Sequence, residues 1–138
     1  RNNYAVQFGG AVFVESPGMH FVGGAFIGNS ANYGGAVYAS NTSGPTFSNS
    51  RLIGNEANAS ASSNGGFVYF HDSVTNSIFV NCDISGNKAN NRSGVFHPAG
   101  SVRFVNCSLA GNSAGDLGGI TILCVLVCQG FLVKKLIG

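Results

Sequence analysis

Charged residues are scarce in this chain. They make up 9% of its 138 residues, whereas about a quarter of the residues of an ordinary globular protein are charged. The seven basic residues are scattered, and Arg51, Arg92 and Arg103 form no run, which argues against a nucleic-acid partner. The composition instead favours short strands joined by turns, because 21 Gly and many Asn and Ser residues disfavour helices.

Cysteine is also sparse, and this excludes two further classes of protein. Four Cys in 138 residues are too few for a small domain held together by disulfides. No two of them form the CxxC pair that is typical of zinc sites. We therefore expect no metal site and no cofactor.

Acidic residues are too few and too dispersed for an evident catalytic site. A glycosidase needs two carboxylates about 5 to 10 Å apart, and a calcium-dependent lyase needs several oxygen ligands around the cation. The sequence contains no acidic cluster of either kind, so we expect no catalytic residue in this chain. The acidic residues are Glu15, Glu56, Asp72, Asp83 and Asp116.

The main pattern that is present is a segment that occurs four times. Each copy begins with Phe, has Asn at its ninth position and ends with Ala. The copies start 26, 32 and 25 residues apart, so they mark a structural repeat with one insertion. The copies are FVGGAFIGNSA (21–31), FSNSRLIGNEA (47–57), FVNCDISGNKA (79–89) and FVNCSLAGNSA (104–114).

The repeat predicts a parallel β-helix. Residues 3–5 match the end of a further copy, and a pair of small residues follows this end and each of the four copies, the earliest pair being Gly9-Gly10. An apolar run follows the first four of these five pairs, so each repeat supplies three short strands with turns between them. A period near 25 residues is typical of one coil of a parallel β-helix, in which equivalent residues form columns. We predict an all-β solenoid of about four coils, with three strands per coil, over residues 1–119.

Several columns can be assigned a role. Position one is always Phe, and position six is always apolar, so both are expected to face the core; position six comprises Phe26, Leu52, Ile84 and Leu109. Position three is expected to form a ladder of side-chain amides in a turn; it comprises Asn49, Asn81 and Asn106. Opposite charges occur in adjacent coils twice, as expected for outward columns; the pairs are Arg51 with Asp83 and Glu56 with Lys88.

Position four is expected to face inward, and it holds Cys82 and Cys107 in adjacent coils. The two residues could be buried, reduced thiols that pack as small apolar side chains. They could also form a disulfide, but this needs Cβ atoms closer than a relaxed ladder gives. The sequence leaves both alternatives open.

Two segments depart from the repeat. About five extra residues, rich in Ser, lie between Ala57 and Gly65 and predict a surface loop, either a tolerated insertion or a binding surface. Residues 120–138 form an apolar tail outside the repeat. We expect final or capping strands, or a non-native extension; a membrane-attached segment is the third alternative, because Leu117 to Ile137 approaches the length of a membrane span.

Gly-Gly-Ala-Val at 9–12 and at 34–37, together with Phe26-Ile-Gly-Asn29, resembles the GGAI and FxxN repeats of the polymorphic outer membrane protein family. The resemblance covers residues 3–119 and extends to the wider class of right-handed parallel β-helix surface proteins. It implies a right-handed coil and an extracellular or cell-surface location, as an outer-membrane passenger region in a bacterium, often with an adhesive role. The chain departs from these repeats at Leu52, Ile84, Leu109, 93–95 and 118–120.

A column of aromatic residues is a candidate binding surface. If the valines that alternate with them face inward, these side chains face outward and could stack on sugar rings or on a protein partner. The opposite facing, with the aromatic residues in the core, fits the sequence equally well, because a slip of one residue reverses the strand. Counted from the small pairs, the column comprises Phe13, Tyr38, Tyr69 and His97; the inward column comprises Val12, Val37, Val68 and Phe96.

We expect a structural or adhesive region exposed on a surface, with a host-cell surface or a polysaccharide as its partner. The alternative is part of a carbohydrate-active β-helix, a polysaccharide lyase or hydrolase, whose catalytic coils lie elsewhere. Open coil ends expose unpaired strand edges, so self-association is also expected. The sequence begins at Arg1, and we expect it to be a piece of a longer protein. Candidate N-glycosylation sites in predicted loops are Asn41, Asn58 and Asn91.

Overall fold

Short β-strands are the only regular secondary structure in the residues that the computed structural model describes, and turns connect them. These residues are 1–40, 44–58, 60, 63–71, 74–91, 95–96, 102–115, 126–129 and 132–134. They form eighteen strands and no helix.

Each repeat contributes one strand to each of four sheets. The first repeat forms β1 (Val12–Val14), β2 (His20–Val22), β3 (Ala25–Ile27) and β4 (Ser30–Ala31). The second forms β5 (Val37–Ala39), β6 (Thr46–Ser48), β7 (Arg51–Ile53) and β8 (Glu56–Ala57). The third forms β9 (Val68–Phe70), β10 (Ser77–Val80), β11 (Asp83–Ser85) and β12 (Lys88–Ala89). The fourth forms β13 (Val95–Phe96), β14 (Val102–Val105), β15 (Ser108–Ala110) and β16 (Ser113–Ala114), and the tail adds β17 (Leu126–Gln129) and β18 (Leu132–Lys134).

Strands of successive repeats pair in parallel, and in the second, third and fourth sheets the repeats pair in the register that the sequence predicts. The first sheet has the order β1-β5-β9-β13, and the fourth has the order β4-β8-β12-β16. The second has the order β2-β6-β10-β14-β17, and the third has the order β3-β7-β11-β15-β18. Our prediction of three strands per repeat is one short, because the two residues after the position-nine Asn also pair, as the fourth sheet.

The position-one phenylalanines form the centre of the core. Phe21, Phe47, Phe79 and Phe104 stack along the second sheet with ring centroids 4.9, 4.8 and 4.9 Å apart. These distances match the spacing of neighbouring strands, about 4.8 Å, so the register itself brings the rings into contact. The position-six column on the third sheet is also buried, with Leu52 and Ile84 at 0% exposure. Both columns face inward as predicted.

A ladder of asparagine side chains at position nine connects all the repeats. The Oδ1 atom of Asn55 accepts hydrogen bonds from the backbone N and the Nδ2 of Asn29, at 3.0 and 2.8 Å. Its own Nδ2 donates to the Phe26 carbonyl at 2.8 Å and to Asn87 Oδ1 at 2.9 Å. The same pattern continues from Asn87 to Asn112, and it begins at Asn3, which donates to Asn29.

The position-three asparagines lie in a turn as predicted, but they form only part of the predicted amide ladder. Their backbones adopt positive φ, with values of 49°, 52° and 49° at Asn49, Asn81 and Asn106. Asn tolerates this left-handed conformation better than most residues do. One exposed amide contact is present, from Asn81 Nδ2 to Asn49 Oδ1 at 3.2 Å. The main amide ladder therefore lies at position nine, and position three supplies a turn conformation.

The glycine pair places the backbone in a bend that no other residue would fit. Gly34 has a φ of 69°, and a Cβ on Gly35 would collide with the backbone of Gly66 and Glu56 in the next repeat. The first glycine thus provides the turn, and the second allows two strands to approach closely.

The outward charge columns follow the predicted register. Asp83 lies opposite Arg51, and Lys88 lies opposite Glu56. Lys88 Nζ and Glu56 Oε1 form an ion pair at 3.5 Å. Because both side chains are partly exposed, this pair contributes about 1 kcal/mol or less to stability.

The tail also pairs with the repeats. β17 lies beside β14 with Cys128 opposite Phe104, and β18 lies beside β15 with Val133 opposite Leu109. β17 and β18 therefore continue the second and third sheets, although the sequence repeat is no longer visible after residue 119. No helix in the described part of the chain is long and apolar enough to cross a membrane.

The facing of the third sheet can be tested with two neighbouring substitutions. Ile84→Asp places a carboxylate in the fully buried column, and we expect it to reduce the free energy of unfolding by more than about 4 kcal/mol. Ser85→Asp, on the partly exposed side, should cost about 1 kcal/mol or less. Urea unfolding followed by circular dichroism measures both. Equal stability of the two variants would contradict the facing.

The asparagine ladder gives a second prediction. Asn87→Ala removes the acceptor for two donors of Asn55 and the donor to the Leu52 carbonyl. Because these groups are buried, we expect a loss of at least about 3 kcal/mol in the free energy of unfolding. Asn81→Gly, an exposed position with positive φ in the same repeat, is the control and should change stability by about 1 kcal/mol or less. A similar loss of unfolding free energy in both variants would show that the buried ladder contributes no more to stability than the exposed Asn81 does.

Candidate functional site

The first sheet presents its aromatic residues outward. Val37 and Val68 belong to the core cluster and Val12 packs against that cluster, whereas Phe13, Tyr38 and Tyr69 lie outside it. Side chains alternate between the two faces of a strand, so this facing follows from β1, β5 and β9 together. Of the two facings that fit the sequence, the structure has the outward aromatic column.

The register of β13, the fourth strand of the first sheet, differs from the one that we counted from the small residue pairs. Val95 lies opposite Val68, and Phe96 lies opposite Tyr69. Phe96 therefore takes the place in the column that we predicted for His97, and Val95 takes the place predicted for Phe96. His97 itself lies outside the described residues. The correction arises because strand pairing sets the register: Val95 follows Ala89 by six residues, as Val37 follows Ala31, so the small residue pair is not a fixed point from which to count.

The rings of the aromatic column are stacked on one another. Phe13 and Tyr38 have ring centroids 5.1 Å apart, Tyr38 and Tyr69 have centroids 5.4 Å apart, and both pairs are within 6° of parallel. Tyr38 is consequently only 6% exposed, whereas Phe13 is 47% exposed. Most of the stacking surface that we expected a ligand to use is therefore already used within the column, and Phe13 presents the largest share of what remains.

A second aromatic column lies beside the first, across the glycine bend. Phe8 and Tyr33 are paired by isolated bridges, with Asn64 next in the same column. The Phe8 ring approaches the Tyr38 ring at a centroid distance of 4.5 Å, and the Tyr33 ring meets Tyr69 edge-on at 5.2 Å. The bend thus brings two aromatic columns into contact on the outer surface.

The two columns enclose the candidate site. An open cavity of about 230 Å³ is lined by Phe8, Tyr33, Tyr38, Tyr69 and His71, and we call it the aromatic hollow. None of these residues is Asp, Glu, Lys or Arg. His71 is exposed, and its ring centroid is 6.4 Å from that of Tyr38. Polar groups are supplied by three phenol hydroxyls and one imidazole.

Sequence reasoning missed two residues of the hollow, Phe8 and Tyr33. Both directly precede a glycine pair, Gly9-Gly10 and Gly34-Gly35, and this equivalent position was the available signal. They lie outside the apolar runs from which we built the candidate surface, so the alternation of a strand did not reveal them.

The serine-rich insertion is attached close to the hollow. Ser60 Oγ and Ser63 Oγ both donate to Oδ1 of Asn32, the residue before Tyr33.

Of the candidate glycosylation sites, Asn58 is exposed at the start of this insertion and Asn91 is half-buried, while Asn41 lies outside the described residues. In the described part of the chain, no group of three His, Cys, Asp or Glu side chains could hold a metal ion.

The two cysteines of position four face inward as buried, reduced thiols. Cys82 and Cys107 are free thiols at 3% and 2% exposure. Each Sγ donates to two backbone carbonyls, as Ser50 Oγ does at the same position one repeat earlier. The neighbouring Cys107 thiol and burial both raise the pKa of Cys82, because they disfavour its thiolate.

This environment predicts low reactivity. Because both cysteines are buried, Cys82 and Cys107 should react with iodoacetamide at pH 8 far more slowly in the folded protein than in urea. The raised pKa of Cys82 slows its reaction further, since the thiolate is the nucleophile. Mass spectrometry of each cysteine-containing peptide measures the two rates separately from those of Cys124 and Cys128. Labelling of Cys82 at the same rate in both states would contradict the inward facing of position four.

Comparisons of the chain with models of protein families, with curated proteins and with solved structures found no match. The resemblance to polymorphic outer membrane protein repeats therefore depends on the quoted motifs alone, and the function must be inferred from the aromatic hollow.

Proposed function

We propose that the chain is part of a right-handed parallel β-helix, with about four coils of roughly 25 residues. Four parallel sheets, each with one strand from every repeat, support this architecture. The asparagine ladder, which joins equivalent turns from Asn3 to Asn112, supports it further.

The proposed function is structural and adhesive: a surface-exposed β-helix region that binds a partner through the aromatic hollow and performs no catalysis in this segment. The observation that supports adhesion is the outward pair of aromatic columns, which pack on one another and line the aromatic hollow. Exposed aromatic clusters of this kind are unusual on a surface without a partner. The motifs quoted above favour an extracellular or cell-surface location, with a host-cell surface or a polysaccharide as the partner.

Retention of the labelled chain on cultured mammalian cells and on cellulose and chitin particles tests this proposal. We expect the wild type to be retained on at least one of these surfaces, and the double variant Phe8→Ser, Phe13→Ser to lose at least about tenfold of that retention. Val22→Ser is the matched control, because Val22 is an apolar residue with 72% exposure on the second sheet. Circular dichroism verifies that both variants are folded.

Two results would contradict the proposal. Equal retention of the double variant and the control would show that the aromatic columns take no part in binding. Release of soluble sugar from the particles by the wild type would favour a polysaccharide lyase or hydrolase instead.

A further inference from the structure

We infer that the aromatic hollow binds a neutral hexopyranose unit of a larger saccharide. This inference depends on the proposed adhesive function and specifies the ligand class. It is argued from the size of the hollow, the chemistry of its lining and the rigidity of the ring stack.

The size of the hollow fits a small unit. Its volume of about 230 Å³ is below the range of roughly 300 to 1,000 Å³ that is usual for pockets that enclose drug-sized ligands. The hollow is also open to solvent on one side. It can therefore hold one sugar ring while the rest of the chain continues outside, and this is how a surface protein would bind a polymer.

The lining matches both faces of a sugar ring. A hexopyranose has apolar C–H groups on its ring faces and hydroxyl groups around its edge. Phe8 supplies partly exposed ring surface for the C–H groups. The hydroxyls of Tyr33 and Tyr69 and the imidazole of His71 are groups that exchange hydrogen bonds with sugar hydroxyls.

The absence of charge in the lining selects against acidic sugars. Among the described residues that line the hollow there is no Lys or Arg, so a bound carboxylate or sulfate would lose water without gaining a cation partner from them. Desolvating an unpaired charge is costly. A uronic acid should therefore bind more weakly than its uncharged methyl ester.

The stack holds the lining residues in place before a ligand arrives. Tyr38 is parallel to the rings on both sides, within 6°, and it is also in contact with Phe8 at 4.5 Å. Little side-chain freedom remains to be lost on binding, and such preorganisation increases affinity. Tyr38 therefore acts as a positioning residue, whereas Phe8, Tyr33, Tyr69 and His71 contact the sugar.

The composition of the chain provides a direct probe. It has four Tyr and no Trp, and three of these tyrosines line the hollow. Tyrosine fluorescence can be titrated with cellotetraose, with galactotetraose, with tetragalacturonate and with the methyl ester of tetragalacturonate. We expect a saturable change with at least one neutral tetrasaccharide, at least about tenfold weaker binding of tetragalacturonate, and recovery in its methyl ester.

Substitutions that keep the rings distinguish binding from folding. Tyr33→Phe and Tyr69→Phe remove one hydroxyl each, and each should weaken binding of the neutral tetrasaccharide about tenfold by calorimetry. Val22→Ser should bind as the wild type does.

Three outcomes would overturn the inference. The first is binding of tetragalacturonate as tight as that of its ester, and the second is unchanged affinity in both Tyr→Phe variants. The third is retention on cells through Phe8 and Phe13 without binding of any neutral tetrasaccharide, which would indicate a protein partner and leave the adhesive function intact. Absence of retention of the wild type on every surface would refute the adhesive function.

Discussion

The structure depends on the satisfaction of buried backbone groups at one turn of each repeat. The position-nine Asn performs this task with one side chain: its Oδ1 accepts from the Asn of the preceding repeat, and its Nδ2 donates both to a carbonyl of that repeat and to the following Asn. Since Asn29, Asn55 and Asn87 are at most 1% exposed, water cannot replace these bonds. A shift of one residue in the second or third repeat would break two rungs of the ladder, so the ladder stabilises the register between the repeats that it joins.

Much of this register could be read from the sequence, because each column repeats one residue type. The phenylalanines of position one, the apolar residues of position six and the Glu56–Lys88 pair all lie where their spacing predicted. The two asparagine columns could not be separated in the same way. Positions three and nine both repeat Asn, and only the backbone shows that Asn81 has a positive φ and is exposed, whereas Asn87 is buried with its amide fully hydrogen-bonded.

The candidate site was harder to predict, for two physical reasons. The facing of a short strand depends on one residue of register, and three-residue strands such as β5 contain too little alternation to decide it. Contacts across a bend also leave no periodic signal, so Phe8 and Tyr33 could not be connected to Tyr38 by spacing alone. The position of Phe96 opposite Tyr69 shows the same limit, since strand pairing sets the register and the small residue pair does not mark it.

The bend connects the fold to the binding surface. A Cβ on Gly35 would collide with Gly66 and Glu56 of the next repeat, so this position must lack a side chain for the sheets to close. The same close approach brings the column of Phe8 and Tyr33 onto the column of Phe13 and Tyr38. The residues on the inner face are constrained by packing in the core, whereas the aromatic residues around the bend pack on one another at the outer surface. A repeat of this kind can therefore change its outer surface by exchanging side chains at the bend, while the asparagine ladder and the phenylalanine stack keep the scaffold unchanged.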